Sequence, residues 1–296
     1  MNLCKCGQKP VIITERALCK KHFIEAFEDK VKKTIRQYSL FERNDKIAVA
    51  ASGGKDSTTV LYLLKKLGFK PTAIAIDEGI SGYRDNTLLD LKKFCKDNDI
   101  ELKITSYKEN FGFTLDEFLS KNSKQIPCMP CGILRRYLLN KASRGFDKIA
   151  TGHNLDDEAQ SIFMNMAKSN VHLLARLGPS TGVITDSKFT PRVKPLYMCS
   201  EKEVATYSFL KEFPIKYTEC PNAPKSYRAA IRDNLNELEA KHPGTKLGIV
   251  HSFLKLMPAL KQTPVESELS YCKECSEPSS KDICSACSIA KAAFKI

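Results

Sequence analysis

Residues 52–58 read Ser52-Gly53-Gly54-Lys55-Asp56-Ser57-Thr58, directly after an apolar run ending at Ala51 and directly before the helical pattern of residues 58–67. A strand that ends in a small, glycine-rich turn and opens a helix makes a pocket for an anion. Glycine lets the backbone approach a ligand closely, the free N–H groups of the turn point outward, and the helix dipole favours negative charge. Lys55 adds a positive charge, and Ser52 and Ser57 add hydroxyl donors. The stretch is not Gly-x-x-x-x-Gly-Lys-Ser/Thr, because the lysine follows the glycine pair at once and one residue separates it from the serine. It predicts a phosphate-binding loop of another kind than that of the kinase-like nucleotidases.

Outward from this loop the chain alternates. Strand-like runs at Ile47–Ala51, Thr72–Asp77, Glu101–Thr105 and Lys148–Thr151 are separated by helical patterns at about 55–67, 84–97, 114–121 and 131–143. Such alternation predicts an α/β fold, a parallel sheet with helices on both faces. Ligands in such sheets bind beyond the carboxyl ends of the strands, where the Ser52 loop, Asp77 and Gly152 all fall. Another helical pattern precedes the sheet at 23–38, and others follow at 154–168, 200–212, 225–240 and 246–257. Residues 169–199 are less regular, with Gly178-Pro179, Gly182, Pro191 and Pro195. The expected organisation is a cysteine-rich module at 1–24, a catalytic domain at 25–257, and a linker with a second cysteine module at 258–296.

A second turn has the same character as the first. Gly152-His153-Asn154-Leu155-Asp156-Asp157 follows a strand and begins a helix. Asn154 is a natural N-cap, and acidic residues in a first turn are favourable against the helix dipole. The same residues suit a nucleotide site: Gly152 would let the nucleotide approach, and Asp157 would position Mg²⁺, which takes one or two carboxylates beside phosphate oxygens. His153 reads equally as a structural or a catalytic histidine.

Twelve cysteines demand an account. No apolar run approaches the roughly 20 residues of a membrane span, and the first residues carry no apolar signal core. A cytosolic protein is expected, in which cysteines serve as metal ligands rather than disulfides. Cys272-x-x-Cys275, eight residues, then Cys284-x-x-Cys287 is a four-thiolate zinc set, closed to other ligands. Cys4-x-Cys6, twelve residues, then Cys19-x-x-His22 offers three sulfurs and an imidazole, again a zinc set, though its first pair is one residue tighter than usual. The third group is Cys128-Met-Pro-Cys131, expected to open a helix at Gly132, with Cys220 standing 89 residues beyond Cys131. Three thiolates suit a 4Fe-4S cluster with one open iron. A redox dithiol at Cys128/Cys131 and an incomplete zinc site remain alternatives. Cys95 and Cys199 read as small buried hydrophobes. Arg135, four residues past Cys131, shares its helix face and could hold pyrophosphate or stabilise developing charge, or belong with Arg136 to a solvated face.

Lys plus Arg number 47 against 34 Asp plus Glu, an excess of 13 that predicts a polyanionic partner.

Taken in order, Ser52–Thr58, Cys128-x-x-Cys131-Gly-x-x-Arg-Arg, Gly152-His-Asn-Leu-Asp-Asp, Arg192-x-Lys-Pro-Leu196 and Cys220-Pro221, with paired terminal zinc modules, resemble the TtuA/Ncs-type tRNA 2-thiouridine synthetases, TtcA-related members of the PP-loop ATP pyrophosphatases. The likeness spans essentially the whole chain. It departs from the family at the tight Cys4-x-Cys6 pair and at Arg135, where some relatives carry lysine. The resemblance implies a PP-loop domain flanked by zinc fingers. ATP would lie over Ser52, Gly53, Gly54, Lys55, Asp56 and Ser57, with adenosine near Ala51, Ile76 and Gly152. A uridine of tRNA would be adenylated and then thiolated at C2, with Lys55, Mg²⁺, Asp157 and Arg135 at the reacting centre. Cys128, Cys131 and Cys220 would hold a 4Fe-4S cluster, and two zinc ions would fill the terminal modules. The sulfur donor would be a ubiquitin-like thiocarboxylate carrier or sulfide, the assembly a homodimer, the location cytoplasmic. The anticodon wobble uridine is expected over the T-loop uridine, since nothing in the chain signals adaptation to heat.

Three other readings fit part of the sequence. An amidating PP-loop synthetase keeps the loop but has no use for Cys128, Cys131 and Cys220. A lysidine-type synthetase explains the charge and leaves the same cysteines idle. A non-enzymatic zinc-ribbon RNA-binding protein explains both ends and leaves the Ser52 loop unexplained.

Overall fold

The computed structural model describes residues 3–14, 16–123, 125–181, 188–222, 227–262 and 270–294. Gly182 and residues 263–269 of the expected linker lie outside them. A two-residue hairpin, β1 (Ile12–Ile13) and β2 (Ala17–Leu18), leads into α1 (Lys20–Gln37). His22 therefore sits in the first turn of α1, and that helix carries on through residues 24 and 25.

The sheet begins with β3 (Ile47–Ala50), followed by α2 (Lys55–Lys66), β4 (Thr72–Asp77), α3 (Arg84–Asp97) and β5 (Leu102–Ser106). Three helices come next, α4 (Tyr107–Phe111), α5 (Leu115–Lys121) and α6 (Cys128–Ala142), and then β6 (Lys148–Ala150) and α7 (Leu155–Ala167). A short α8 (Val171–Leu174), β7 (Ser180–Thr181), β8 (Arg192–Val193) and α9 (Glu201–Leu210) complete this part. The strand order is β5-β4-β3-β6-β8-β7, parallel throughout except for the edge pair β7–β8. The chain leaves β3 toward β4 on one side and leaves β6 toward β8 on the other. The crevice beyond the carboxyl ends of β3 and β6 is thus the switch point where such sheets take ligands.

Side chains alternate across the strands with period two. Ile47, Val49, Ala73, Ala75 and Ala150 join a core with Phe23 and Phe27 of α1, Val60 and Leu64 of α2, and Val204 and Tyr207 of α9. Ala48, Ile74, Ile76 and Ile149 face the opposite layer, with Tyr107, Phe118, Leu134 and Leu138. Cys95 and Cys199 are buried in the first of these layers, as small hydrophobes. The helices α10 (Tyr227–Lys241) and α11 (Thr245–Leu260) pack with α7 around Leu155, Ile162, Leu235 and Phe253. A last hairpin, β9 (Ser270–Tyr271) and β10 (Pro278–Ser279), and α12 (Ser285–Phe294) carry the final four cysteines.

Two further boundaries differ from expectation. Helix α11 runs to Leu260, past the catalytic domain's expected end at residue 257. Helix α6 starts at Cys128 rather than Gly132, so both cysteines of the pair lie in its first turn. Pro130 is compatible with this, because the first N–H groups of a helix have no intrahelical acceptor and a proline there forfeits nothing.

Candidate active site

The Ser52 loop is drawn tight by its own hydroxyls. Gly54 N–H donates to Ser52 Oγ at 3.2 Å, Ser52 N–H donates to Ser57 Oγ at 3.2 Å, and Ser57 Oγ donates to Gly54 O at 3.1 Å. Gly53 has φ +81°, and a Cβ there would stand 2.3 Å from Thr87 O, so the first turn of α3 presses directly on the loop. Only glycine fits such a conformation against such a neighbour.

The Gly152 turn presses on the same loop from the β6 side. A Cβ on Gly152 would lie 2.8 Å from Ser57 N and 2.9 Å from Asp56 Cβ. Asn154 caps α7 by accepting from Asp157 N–H, and Asp157 Oδ2 accepts from Asn154 N–H at 3.2 Å, a complete capping box. The Asn154 amide donates to Asp56 Oδ1 at 3.1 Å and to Glu201 Oε2 at 2.7 Å. Lys55 pairs with Asp56 at 3.0 Å and with Glu201 at 2.5 Å. Burial opposes the Lys55 charge, but Asp56 and Glu201 overcome it and hold the ammonium above its ordinary range. Burial likewise raises Asp56, against the pull of Lys55.

Asp157 takes two roles at once. Besides the capping box, its Oδ1 accepts from Arg228 Nη2 at 3.1 Å, and its main-chain oxygen accepts from the same atom at 2.9 Å. Desolvation in the cleft pushes its carboxyl up to about 6, with Arg228 pulling the other way and Asp56 and Glu201 adding repulsion. Asp56, Asp157 and Glu201 are near enough to repel one another, but their oxygens are not gathered within 4.8 Å as a ready ligand set. His153 bonds Thr151 Oγ1 at 2.9 Å, and desolvation with the surrounding cations Lys194, Arg228, Arg135 and Arg192 keeps the ring well below its ordinary pKa. Ala51 and Ile76 are both 3% exposed, their side chains in the two apolar layers.

The first turn of α6 lies beside the carboxyl ends of β4 and β5. Tyr107, which follows β5, donates its hydroxyl to Cys131 O at 2.7 Å. Cys128 Sγ donates to Asn222 O at 3.6 Å, which ties that turn to the loop carrying Cys220. Burial raises both Cys131 and Cys220 and Arg135 lowers both. The three sulfurs are not gathered within 4.8 Å of one another, unlike the ligand atoms of the two terminal sets. The donor set is soft and wholly sulfur, which fits an iron–sulfur cluster whose thiolates bind separate irons.

The terminal modules are different in kind. Cys4, Cys6, Cys19 and His22 have all four ligand atoms within 4.8 Å of one another, as do Cys272, Cys275, Cys284 and Cys287. A tetrahedral zinc with Zn–S near 2.3 Å requires S···S edges of about 3.8 Å. The observed edges are 3.7 Å for Cys6–Cys19, 3.9 Å for Cys272–Cys287 and 3.7 Å for Cys275–Cys284. His22 Nδ1 stands 3.5 Å from Cys19 Sγ and 3.1 Å from Cys4 Sγ. The tight Cys4-x-Cys6 pair is accommodated by Gly7 at φ +81°, whose N–H donates to Cys4 O at 2.8 Å. Backbone N–H groups of Cys284 and Cys287 point at Cys272 Sγ and Cys284 Sγ, a polarity that supports thiolates.

Four residues of the site escaped the sequence reading. Glu78, directly after β4, pairs with Arg84 Nε at 3.0 Å and faces Arg135 Nη1 at 3.7 Å. Arg84 Nη1 donates to Ser52 O at 2.5 Å and Thr87 Oγ1 at 3.1 Å. Glu201 and Arg228 are the others. Position at the carboxyl end of a strand was the available signal for Glu78; for Arg84, Glu201 and Arg228 there was none.

A PP-loop domain family model matches residues 23–239. The tRNA-5-methyluridine(54) 2-sulfurtransferase of Pyrococcus horikoshii is 41% identical over 272 residues, 91% of this chain and 86% of that protein. Cytoplasmic tRNA 2-thiolation protein 1 of Drosophila melanogaster is 38% identical over 300 residues, 96% and 86% of the two chains. Among solved structures, the U34-tRNA thiolase NcsA from Methanococcus maripaludis with its [4Fe-4S] cluster superposes with a TM-score of 0.84 at 34% identity, covering 100% of this chain and 97% of that one.

Proposed function

Because the chain belongs to the PP-loop family of tRNA 2-thiouridine synthetases, we propose that it is an ATP-dependent tRNA sulfurtransferase that replaces the C2 oxygen of a uridine by sulfur in two steps. In the first, the C2 oxygen attacks the α-phosphate of ATP and pyrophosphate leaves. In the second, sulfur attacks C2 and AMP leaves, carrying the original oxygen. Such phosphoryl transfer is catalysed by positioning and charge compensation.

The Ser52–Ser57 loop holds the phosphates, and Lys55 exchanges its Asp56 and Glu201 partners for phosphate oxygens. Asp56 and Asp157 hold Mg²⁺, and Arg135 reaches the charge that develops at the reacting centre. A 4Fe-4S cluster on Cys128, Cys131 and Cys220 supplies, when bound, an open iron able to carry sulfide. Tyr107 fixes the main chain of Cys131, so the thiolate turn keeps its place beside the carboxyl ends of the strands. The terminal zinc modules and the basic surface grip the tRNA, whose phosphates favour cations wherever they touch. A cytoplasmic location, a homodimer, and a thiocarboxylate carrier or sulfide as donor complete the reading.

The observation that carries it is the interlock of the two glycine turns, Asn154 on Asp56, with the Cys128–Cys131 turn tied through Cys128 to the loop that carries Cys220. The wobble uridine is the preferred target, supported by the U34 thiolase that matches the whole length of the chain. The T-loop uridine is the second reading, favoured by the 41% identity to a position-54 enzyme. The test is anaerobic incubation of cluster-loaded protein with unmodified tRNA, ATP and sulfide, followed by mass-spectrometric mapping of 2-thiouridine. Sulfur at position 34 supports the preferred reading, sulfur at 54 the second, and no thiolated uridine contradicts both.

A further inference from the structure

Glu78 is 6% exposed and Arg84 is 3% exposed, an ion pair almost wholly withdrawn from water. Such pairs carry a desolvation cost that their attraction does not reliably repay, and are a poor way to gain stability. Their retention at this point of the fold asks for another reason. The geometry of the Glu78 carboxylate supplies one. Its Oε2 stands 3.0 Å from Arg84 Nε, an ion pair by distance in which that buried N–H makes no hydrogen bond, and Arg84 Nη1 is in turn anchored on Ser52 O. Its Oε1 faces Arg135 Nη1 at 3.7 Å, a longer contact, and the Arg135 side chain is 50% exposed. The Glu78 backbone cannot shift to follow either partner. Its carbonyl accepts from Leu115 N–H at 2.8 Å, and the next residue, Gly79, turns at φ +68° against Thr114.

We propose that Glu78 is a positioning residue that holds Arg135 between the phosphate loop and Cys131, with Arg84 as its permanent counter-ion and Arg135 as a partner it can release. Arg84 stays on Ser52 O and keeps Glu78 neutralised. Arg135 is therefore free to turn from Glu78 toward an anion in the cleft without leaving an uncompensated buried carboxylate behind. A lone buried carboxylate with one arginine could not release it in this way, because the charge left behind is expensive. The arrangement also sets the starting point of Arg135 relative to the Ser52 carbonyl, so loop and guanidinium stand in register before nucleotide binds. The inference rests on the thiolation reading for its turnover arm, and its other arm needs no tRNA.

A double-mutant cycle tests it, with Glu78→Gln, Arg135→Gln and the pair. The readouts are tRNA-dependent AMP formation, ATP KM, iron content, thermal midpoint, and labelling of Arg135 by phenylglyoxal with and without ATP. Glu78→Gln is expected to lower kcat about tenfold or more, with ATP KM and iron content unchanged. In the Arg135→Gln background it is expected to lower kcat no further, whereas the stability cost through Arg84 persists in both backgrounds. Arg135 labelling is expected to rise in Glu78→Gln without ATP. If Glu78→Gln does not fold, Glu78→Asp keeps the charge, shortens the reach, and carries the same expectation for labelling. Additive losses in kcat, or Arg135 labelling indifferent to Glu78, would overturn the proposal. Inert wild-type protein would contradict the thiolation reading, and the labelling arm would still decide the role of Glu78.

Discussion

The Asn154 amide donates to the Asp56 carboxylate over 3.1 Å, although the two residues lie 98 positions apart in the chain. The bond joins the turn after β6 to the turn after β3, so each half of the cradle is held by the other. Asn154 also caps α7 and binds Glu201. Asn154→Ala removes a cap worth about 1 kcal/mol and leaves two carboxylates short of a donor. The expected result is a fall in thermal midpoint of a few degrees and a rise in the dissociation constant for ATP. Differential scanning calorimetry and nucleotide titration check the two separately, and unchanged ATP affinity would show that the interlock does not shape the nucleotide site.

Gly152 is the point of closest approach between these turns. A methyl group there would meet Ser57 N at 2.8 Å and Asp56 Cβ at 2.9 Å, contacts with backbone that cannot swing aside. Gly152→Ala should displace the start of α2 and cost roughly 1–3 kcal/mol of stability, as overpacking does. ATP binding should weaken by more than tenfold. Retained affinity with an unchanged melting curve would contradict the contact.

The Asp157 carboxyl gives the site a pH signature. Desolvation raises it from 3.8 to about 6, so its contribution to stability is present below about 4 and is lost as the pH rises through 6. Binding of Mg·ATP favours the ionised form, so nucleotide affinity should fall as the pH drops through about 6. Asp157→Asn should abolish that dependence between pH 5 and 7. Calorimetric titration across this range checks it, and an identical slope in the variant would assign the dependence to another group.

The C-terminal module bears directly on the thiolate helix. Helix α12 packs on α6, Arg144 pairs with Glu277, Lys188 Nζ donates to Ser276 O at 2.6 Å, and Tyr137 and Cys275 pack against one apolar cluster. Cys272 and Cys284 belong to the same apolar cluster as Cys131 and Leu134. Cys284→Ser should lose one zinc and, with it, much of the bound iron, while ATP affinity is retained, because the Ser52 loop rests on other elements. Metal analysis after reconstitution checks it; full iron occupancy without the zinc would show that α6 stands unaided.

What could be read from the chain divides by sequence distance. The Ser52 loop, the Gly152 turn and both terminal four-ligand clusters were legible because their residues sit within a few positions, or within one short knuckle pair. The parallel sheet followed from the alternation of strands and helices, but its order did not, and β7 and β8 lie in the stretch 169–199 that read as irregular. Helix α6 starts four residues before the expected Gly132, because a proline such as Pro130 is harmless in a first turn. Grouping Cys220 with Cys128 and Cys131 left a redox dithiol and an incomplete zinc site as alternatives, and only the family resemblance chose the cluster, since 89 residues separate Cys220 from Cys131. Glu78, Arg84, Glu201 and Arg228 were invisible, because each looks like an ordinary charged residue until the fold brings its partner to it.

The most direct test of the account is the metal content of anaerobically reconstituted protein beside a Cys220→Ser variant. Iron, acid-labile sulfide and zinc are counted per chain. Wild-type protein is expected to carry about four iron and four sulfide with two zinc, and the variant zinc alone. Zinc without iron in the wild type, or iron undiminished in Cys220→Ser, would contradict it.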